Sequence, residues 1–252
     1  MSLPAIYAGP TYVRHVEGEH FESIIRMLRY PNITFAPEWN DALIDRARAR
    51  SMTKFLLESE CEIWFTVDGD IVFDPQDVQM LCEQAVTHDV VAAQYVTRSR
   101  YLCTPTSTQL EDVPILYGGD PTPIPIKWAA TGFLAVHRRV VEKLVKRGDV
   151  QLAQPKDPLR RHYTNIFTPF TVQGPNGPIY LSEDYAMCER ARREGFTIHV
   201  NPAIRVGHVG QYMFTLNDMN YPPPENLPMM VARQANGSYD IERMPNSEVS
   251  EL

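Results

Sequence analysis

The sequence predicts an α/β protein with a mostly parallel central sheet flanked by helices. Two observations carry that expectation. Apolar strand-like runs alternate with stretches of helical periodicity from residue 4 to residue 200, the order that crossover helices on a sheet require and a sandwich or bundle does not. The run Ile-Trp-Phe-Thr-Val at 63–67 is apolar or β-branched at every position, as in a strand covered on both faces.

The elements follow in order. Residues 4–10 read as a short buried strand broken by Gly9-Pro10, and Phe21, Ile24, Ile25 and Leu28 recur at helical spacing over 21–30. A second strand is expected at 33–35. Pro37 ends it, and Asn40 or Asp41 is placed to cap a helix that carries Leu43, Ile44, Ala47, Met52, Phe55 and Leu56 and stops near Ser59. After 63–67 the chain reaches Asp68-Gly69-Asp70, then a helix with Asp74 as N-cap, Pro75 at its first position and an inner face of Val78, Leu81, Cys82 and Ala85. A strand follows at 89–96. Thr, Pro and Gly118-Gly119 make 98–127 an irregular or hairpin-like insertion. The pattern resumes with a strand at 132–136 and a helix at 138–146 closed by Gly148, while 149–180 reads mostly as loop. Ser182 opens a helix with acids in its first turn, arginines in its last and Gly195 as terminator, and 196–200 returns to the sheet.

No linker divides the first 215 residues, so one domain is expected over 1–216, followed by a Pro-rich, acidic tail over 217–252 that wraps the surface or stays disordered. With 44% hydrophobic and 22% charged residues, the chain has an ordinary globular composition. Its 24 Lys and Arg against 31 Asp and Glu leave a net charge of −7, which excludes a surface that attracts nucleic acid all over. Cys61, Cys82, Cys103 and Cys188 form no C-x-x-C pair and read as small buried groups. No apolar run approaches the ~20 residues that span a bilayer, and the N-terminus lacks the pattern of a signal peptide, so a cytoplasmic protein without a transmembrane segment is expected.

Three groups of residues carry chemistry. Asp68-Gly69-Asp70 ends the most apolar strand, and ligands of open α/β sheets bind outside the carboxyl ends of strands. Two carboxylates about a glycine suit a hard divalent cation bridging to phosphate, although a polar turn has the same composition. Glu183 and Asp184 follow Ser182 at a helix start, a pattern that serves the helix itself and also offers a general base, with Asp184 the better placed. His208, in Arg-Val-Gly-His-Val-Gly at 205–210, is flanked by glycines; with two carboxylates an imidazole makes a mixed nitrogen and oxygen site that suits Mn2+.

In their order these groups resemble the nucleotide-sugar glycosyltransferases of the GT-A fold, in their D-x-D family 2-like or phage-type form, over residues 4–212. The resemblance implies a Rossmann-like nucleotide-binding half, a nucleotide diphosphate sugar of UDP type as donor, and Mn2+ or Mg2+ as cofactor. It makes Asp70 the direct metal ligand, Asp68 a ribose contact or water-bridged ligand, and His208 the residue that completes the metal site. Pro10, Thr11 and Tyr12 match the turn that holds base and ribose, and Gly69 lies within the donor motif. Ala49-Arg50-Ser51 resembles an A-R-N segment, with Arg50 near the nucleotide and Ser in place of Asn. Thr131-Gly132 would border donor and acceptor sugars, its glycine leaving room for a ring, while Trp128 would either stack on a ligand or pack in the core. Glu183-Asp184 is the most specific match, and it casts Asp184 as the base of a hexosyltransferase-like reaction.

Residues 138–161 hold eight Lys and Arg against three acids, a solvated face or a dock for an anionic acceptor. The resemblance implies as acceptor a saccharide or lipid-linked glycan, or a modified base in DNA as in phage-type enzymes, with 149–180 and its aromatic residues the expected element of acceptor choice. Two other classes compete. A sugar nucleotidyltransferase would carry a Gly-rich loop after its first strand, where residues 8–14 have one glycine. A non-catalytic nucleotide-sugar-binding protein would need Asp68 and Asp70 but no acid at Asp184.

Overall fold

The computed structural model describes residues 3–98, 104–110, 115–154, 156, 162–210, 213–216 and 230–232. Seven strands form the central sheet: β1 (Ile6–Ala8), β2 (Ile33–Phe35), β3 (Ile63–Val67), β4 (Val90–Ala93), β5 (Ile124–Ile126), β6 (Phe133–His137) and β7 (Ile198–Asn201). Their spatial order is β2-β1-β3-β6-β4-β7-β5. β1, β2, β3, β4 and β7 run in one direction, and β6 and β5 are reversed. The expected mixed α/β architecture, a mostly parallel sheet flanked by helices, is therefore present.

Five α-helices cover the sheet: α1 (Gly18–Met27), α2 (Ile44–Glu58), α3 (Pro75–His88), α4 (Arg138–Leu144) and α5 (Glu183–Arg193). Alternate strand residues face opposite layers. Trp64, Leu134 and Val136 pack with α2, α4 and α5, whereas Ile63, Phe65, Phe133 and Ala135 pack with α1 and α3. Burial on both faces is why β3 is apolar without interruption.

The helix ends follow their side chains. Asp74 accepts from the Gln76 amide (2.9 Å) ahead of Pro75, and Gly195 takes φ +91° where α5 stops. Asp41 does not cap α2 from the adjoining position; it accepts from the Leu43 amide, two residues on, and the helix starts at Ile44. α1 departs further from its expected face. It turns His20, Ser23, Ile24 and Met27 inward and leaves Phe21, Ile25 and Leu28 exposed. The polar pair can be buried because it is bonded there: His20 lies between the Tyr12 hydroxyl and the Ile71 carbonyl, and Ser23 Oγ accepts from the Phe73 amide.

The two irregular regions hold more order than composition suggested. From 98–127, Ile124–Ile126 joins the sheet as edge strand β5, and Ile115–Tyr117 pairs in parallel with Met230–Ala232. From 149–180, Leu152–Ala153 pairs with Tyr163–Thr164, and Phe170–Gly174 forms a hairpin with Gly177–Leu181. Its alternating exposure and Gly177 at φ +120° mark a two-stranded ribbon lying on the core. The expected strand at 89–96 is a sheet strand only over 90–93, with Val96 in an isolated bridge to Pro105. Cys61, Cys82 and Cys188 are buried and free, and Cys103 lies outside the described residues, as does the tail apart from 230–232. Among the described residues no helix is long and apolar enough to cross a membrane.

Candidate active site

The carboxyl ends of β1, β3 and β4 open on one edge of the sheet. Because β6 is reversed, Thr131 and Gly132, just before it, stand at that same edge, and the Asp68 amide donates to the Gly132 carbonyl at 3.0 Å. Gly132 is fixed by its neighbours. A Cβ there would lie 2.3 Å from the Tyr95 hydroxyl and 3.1 Å from Asp68 Oδ2, so the missing side chain accommodates Tyr95 and Asp68, not open space for a sugar ring. The Tyr95 hydroxyl also accepts from the Gly132 amide at 3.0 Å.

The first-strand turn packs against this edge. Gly9 lies under α2, where a Cβ would meet Ser51 Oγ at 2.0 Å, and Ser51 Oγ donates to the Gly9 carbonyl while accepting from Trp64 Nε1. Pro10, Thr11 and Tyr12 are buried, and Thr11–Tyr12 pairs with Glu38–Trp39. The Tyr12 ring lies against Gly69, within 3.0 Å of where a Cβ would stand. Tyr12 and the Asp68-Gly69-Asp70 motif are thus in contact.

Asp70 and His208 come together through strand pairing. Ile71–Val72 is antiparallel to Gly207–Val209, with His208 opposite Ile71, and the Val209 amide donates to the Asp70 carbonyl at 2.7 Å. His208 Nδ1 lies 2.8 Å from the Val96 carbonyl and, since a carbonyl only accepts, donates to it. Its Nε2 faces Asp70 Oδ2 at 3.6 Å. Burial opposes ionisation of Asp70, yet His208 and Arg98 beside it hold the carboxyl below its ordinary value. Asp70 Oδ1 is buried with no hydrogen-bond partner among the described residues.

These features fit a divalent cation with two protein ligands. A metal-binding histidine characteristically donates its other nitrogen to a carbonyl, and an unpartnered buried carboxylate oxygen awaits a positive partner. Asp68 is turned elsewhere: its Oδ1 accepts from Arg48 Nη2 at 2.7 Å. Among the described residues no three His, Cys, Asp or Glu side chains gather closely enough to enclose an ion.

Arg48 is the residue that motif reading missed. Its Nη1 donates to Glu183 Oε1 at 2.6 Å, so one buried guanidinium joins the D-x-D motif to the start of α5. Asp68 and Glu183 keep Arg48 charged against its burial. Burial raises the Glu183 carboxyl above its usual value, with Arg48 opposing that rise. Arg50, two positions along α2, faces away and pairs with Asp41 (3.2 Å) and Glu38 (3.5 Å). The signal lay in the helical stripe Ala47, Arg48, Ser51, Met52 and Phe55, which puts a charge on the inward face.

Asp184 Oδ1 accepts from the Ser182 hydroxyl and from the Tyr185 amide, the latter at 2.8 Å, so Ser182 orients Asp184 and does not cap the backbone. Trp128 is buried, stacks on Tyr185 with centroids 5.5 Å apart and donates to Glu189, which assigns it to packing. Thr11 Oγ1 and Thr131 Oγ1 are buried and unpartnered among the described residues. Of the aromatic residues in 149–180, Phe167 is buried and Phe170 lies under Arg190 and Arg193, while Tyr180 is 68% exposed.

No protein-family profile matches the chain, and no curated protein does. Among solved structures it is similar to A197 from STIV, at 13% identity over 81% of this chain and 85% of that one, with a TM-score of 0.49. It is also similar to GalNAc-T7, solved with UDP, GalNAc and Mn2+, at 11% identity over 82% of this chain and 44% of that one, with a TM-score of 0.48. Scores below one half at so few shared residues leave the chemistry of the site to its own side chains.

Proposed function

We propose that the protein is a metal-dependent glycosyltransferase that moves a sugar from a nucleotide diphosphate sugar, of UDP type, to an acceptor hydroxyl. One observation carries the reading: the buried Arg48 joins Asp68 to Glu183, so the residues expected to hold the donor and those expected to act on the acceptor form a single hydrogen-bonded unit.

Asp70 and His208 would hold the divalent ion, which when bound supplies Lewis-acid stabilisation of the departing diphosphate. They would offer it one oxygen and one nitrogen donor, a mixed set that suits Mn2+. Pro10, Thr11, Tyr12 and Gly69 line the nucleotide side, and the unpartnered hydroxyls of Thr11 and Thr131 offer donors to ribose or sugar. Asp184, with Oδ1 held by Ser182 and the Tyr185 amide, takes the acceptor proton on Oδ2 as the hydroxyl oxygen bonds the anomeric carbon and the bond from that carbon to the phosphate oxygen breaks. Glu183, engaged by Arg48, fixes the start of α5 and hence the reach of Asp184.

The test is thermal stabilisation by nucleoside diphosphates and their sugars, with and without Mn2+. A ligand at a hundred times its Kd adds about 2.7 kcal/mol, a shift of roughly 5–10 °C at this size. The expected result is a Mn2+-dependent shift with one nucleotide family, lost in Asp70→Ala and kept in Asp184→Asn, which lowers turnover alone. No shift with any nucleoside diphosphate overturns the donor site; full turnover in Asp184→Asn removes the base and leaves a binding protein or another base.

A further inference from the structure

Arg98 reaches into the Asp70–His208 site from the segment after β4. Its Nη1 lies 2.8 Å from Asp70 Oδ2 and 3.2 Å from the Val209 carbonyl. The same Oδ2 is the oxygen that faces His208 Nε2 at 3.6 Å, so the guanidinium neutralises the carboxylate edge that a metal ion would use. We propose that Arg98 is a tethered counter-cation, which occupies Asp70 when the metal is absent and must be displaced when it binds, so that this side chain tunes the metal affinity of the site. The inference rests on the reading of Asp70 and His208 as metal ligands.

Two features make the contact exchangeable. The Arg98 side chain is 47% exposed while that of Asp70 is 23% exposed, so the guanidinium can swing into water without burying or stranding its own charge. Arg48, 5% exposed and clamped by two carboxylates, has no such exit. The stem of Arg98 crosses Gly210, where a Cβ would stand 3.0 Å from Arg98 Cδ, so the route to Asp70 passes over a residue with no side chain to obstruct it.

The physical logic is that a half-buried carboxylate with no cation nearby is costly, and a permanent one would exclude the metal. A flexible arginine satisfies Asp70 Oδ2 in the metal-free protein and yields to a divalent ion, which gains His208 Nε2 and the unpartnered Asp70 Oδ1 as well. The cost of displacing one half-exposed ion pair is small, so the expected effect on metal affinity is modest and has a definite sign.

The experiment measures Mn2+ binding to the metal-free full-length chain, by calorimetry and by loss of the free Mn2+ resonance signal, for the wild type, Arg98→Ala, Arg98→Gln, Arg98→Lys and Asp70→Ala. Thermal unfolding of each variant checks the fold. Arg98→Ala and Arg98→Gln are expected to bind Mn2+ up to about fivefold more tightly than the wild type, with Arg98→Lys between them and Asp70→Ala not binding. Unchanged or weaker Mn2+ binding in the Ala and Gln variants, with normal binding by the wild type, overturns the counter-cation role and leaves the metal site standing. Absence of Mn2+ binding in the wild type and all Arg98 variants overturns the metal site itself, and this inference with it.

Discussion

Replacing Arg48 by Met keeps the length and apolar stem of the side chain and removes the charge that joins Asp68 to Glu183. Arg48 is 5% exposed, and its two partners, at 2.7 and 2.6 Å, are 28% and 20% exposed. Removing one member of a fully buried pair costs about 3–5 kcal/mol. Both carboxylates here can recover some water, so about 2–3 kcal/mol is expected at neutral pH, a fall in Tm of roughly 5–10 °C. The loss should depend on pH with a definite sign. Burial already holds the Glu183 carboxyl above its ordinary value, and Arg48 opposes that rise, so its removal lifts the carboxyl further. An acid whose folded pKa is raised favours the folded state while protonated and loses that contribution as pH rises through the folded value. The variant's deficit should therefore grow as pH rises from about 4 to about 7.5, because its Glu183 carboxyl gives up its proton at a higher pH than that of the wild type. Urea unfolding at the two pH values measures this, and Glu183→Gln in the Arg48→Met background should recover part of the loss. An equal deficit at both pH values, or a double variant whose deficit is the sum of the singles, refutes the coupling.

Three further outcomes are expected. Asp77, in the first turn of α3, has its carboxyl raised by burial and by Asp74 to about 6. Its stabilising contribution is present below the unfolded value and lost as pH rises through about 6, so Asp77→Asn should stabilise by of order 1–3 kcal/mol at about pH 7.5 and by nothing near about pH 4 in chemical unfolding. Gly132→Ala would put a Cβ 2.3 Å from the Tyr95 hydroxyl and should cost about 1–3 kcal/mol, with Tyr95→Phe less harmful in that background than alone. Arg138 donates to the carbonyls of Phe55, Leu56, Ser59 and Cys61 at the end of α2, so Arg138→Ala should cost about 2–3 kcal/mol and Arg138→Lys, a point charge that cannot span them, should recover less than half of it by the same assay.

Elements with a strong local code were legible in advance. β3 announced itself by apolar residues at every position, and α3 by Asp74, Pro75 and an inner face of Val78, Leu81, Cys82 and Ala85, all of which are buried. α1 was legible as a helix but not by its inward face, because burying His20 and Ser23 depends on Tyr12, Ile71 and Phe73, which are remote or separate in sequence. β5 was hidden in a Thr- and Pro-rich stretch, since an edge strand tolerates Pro125 and takes its order from β7 alone.

The sequence by itself determined that the chain folds as an α/β sheet and where its acidic motifs fall relative to strand and helix ends. Periodicity, caps and the rule that ligands bind at carboxyl ends of strands are local or topological, so they survive without coordinates. Only the tertiary structure decided which charges are partners. Arg48 and Arg50 are equivalent in composition, and the rotation of α2 sends one to Asp68 and Glu183 and the other to Asp41 and Glu38. Asp70 meets His208 through a short strand pairing across more than a hundred residues and Arg98 through the segment after β4, and ion-pair energies depend on distances and burial that no spacing along the chain encodes.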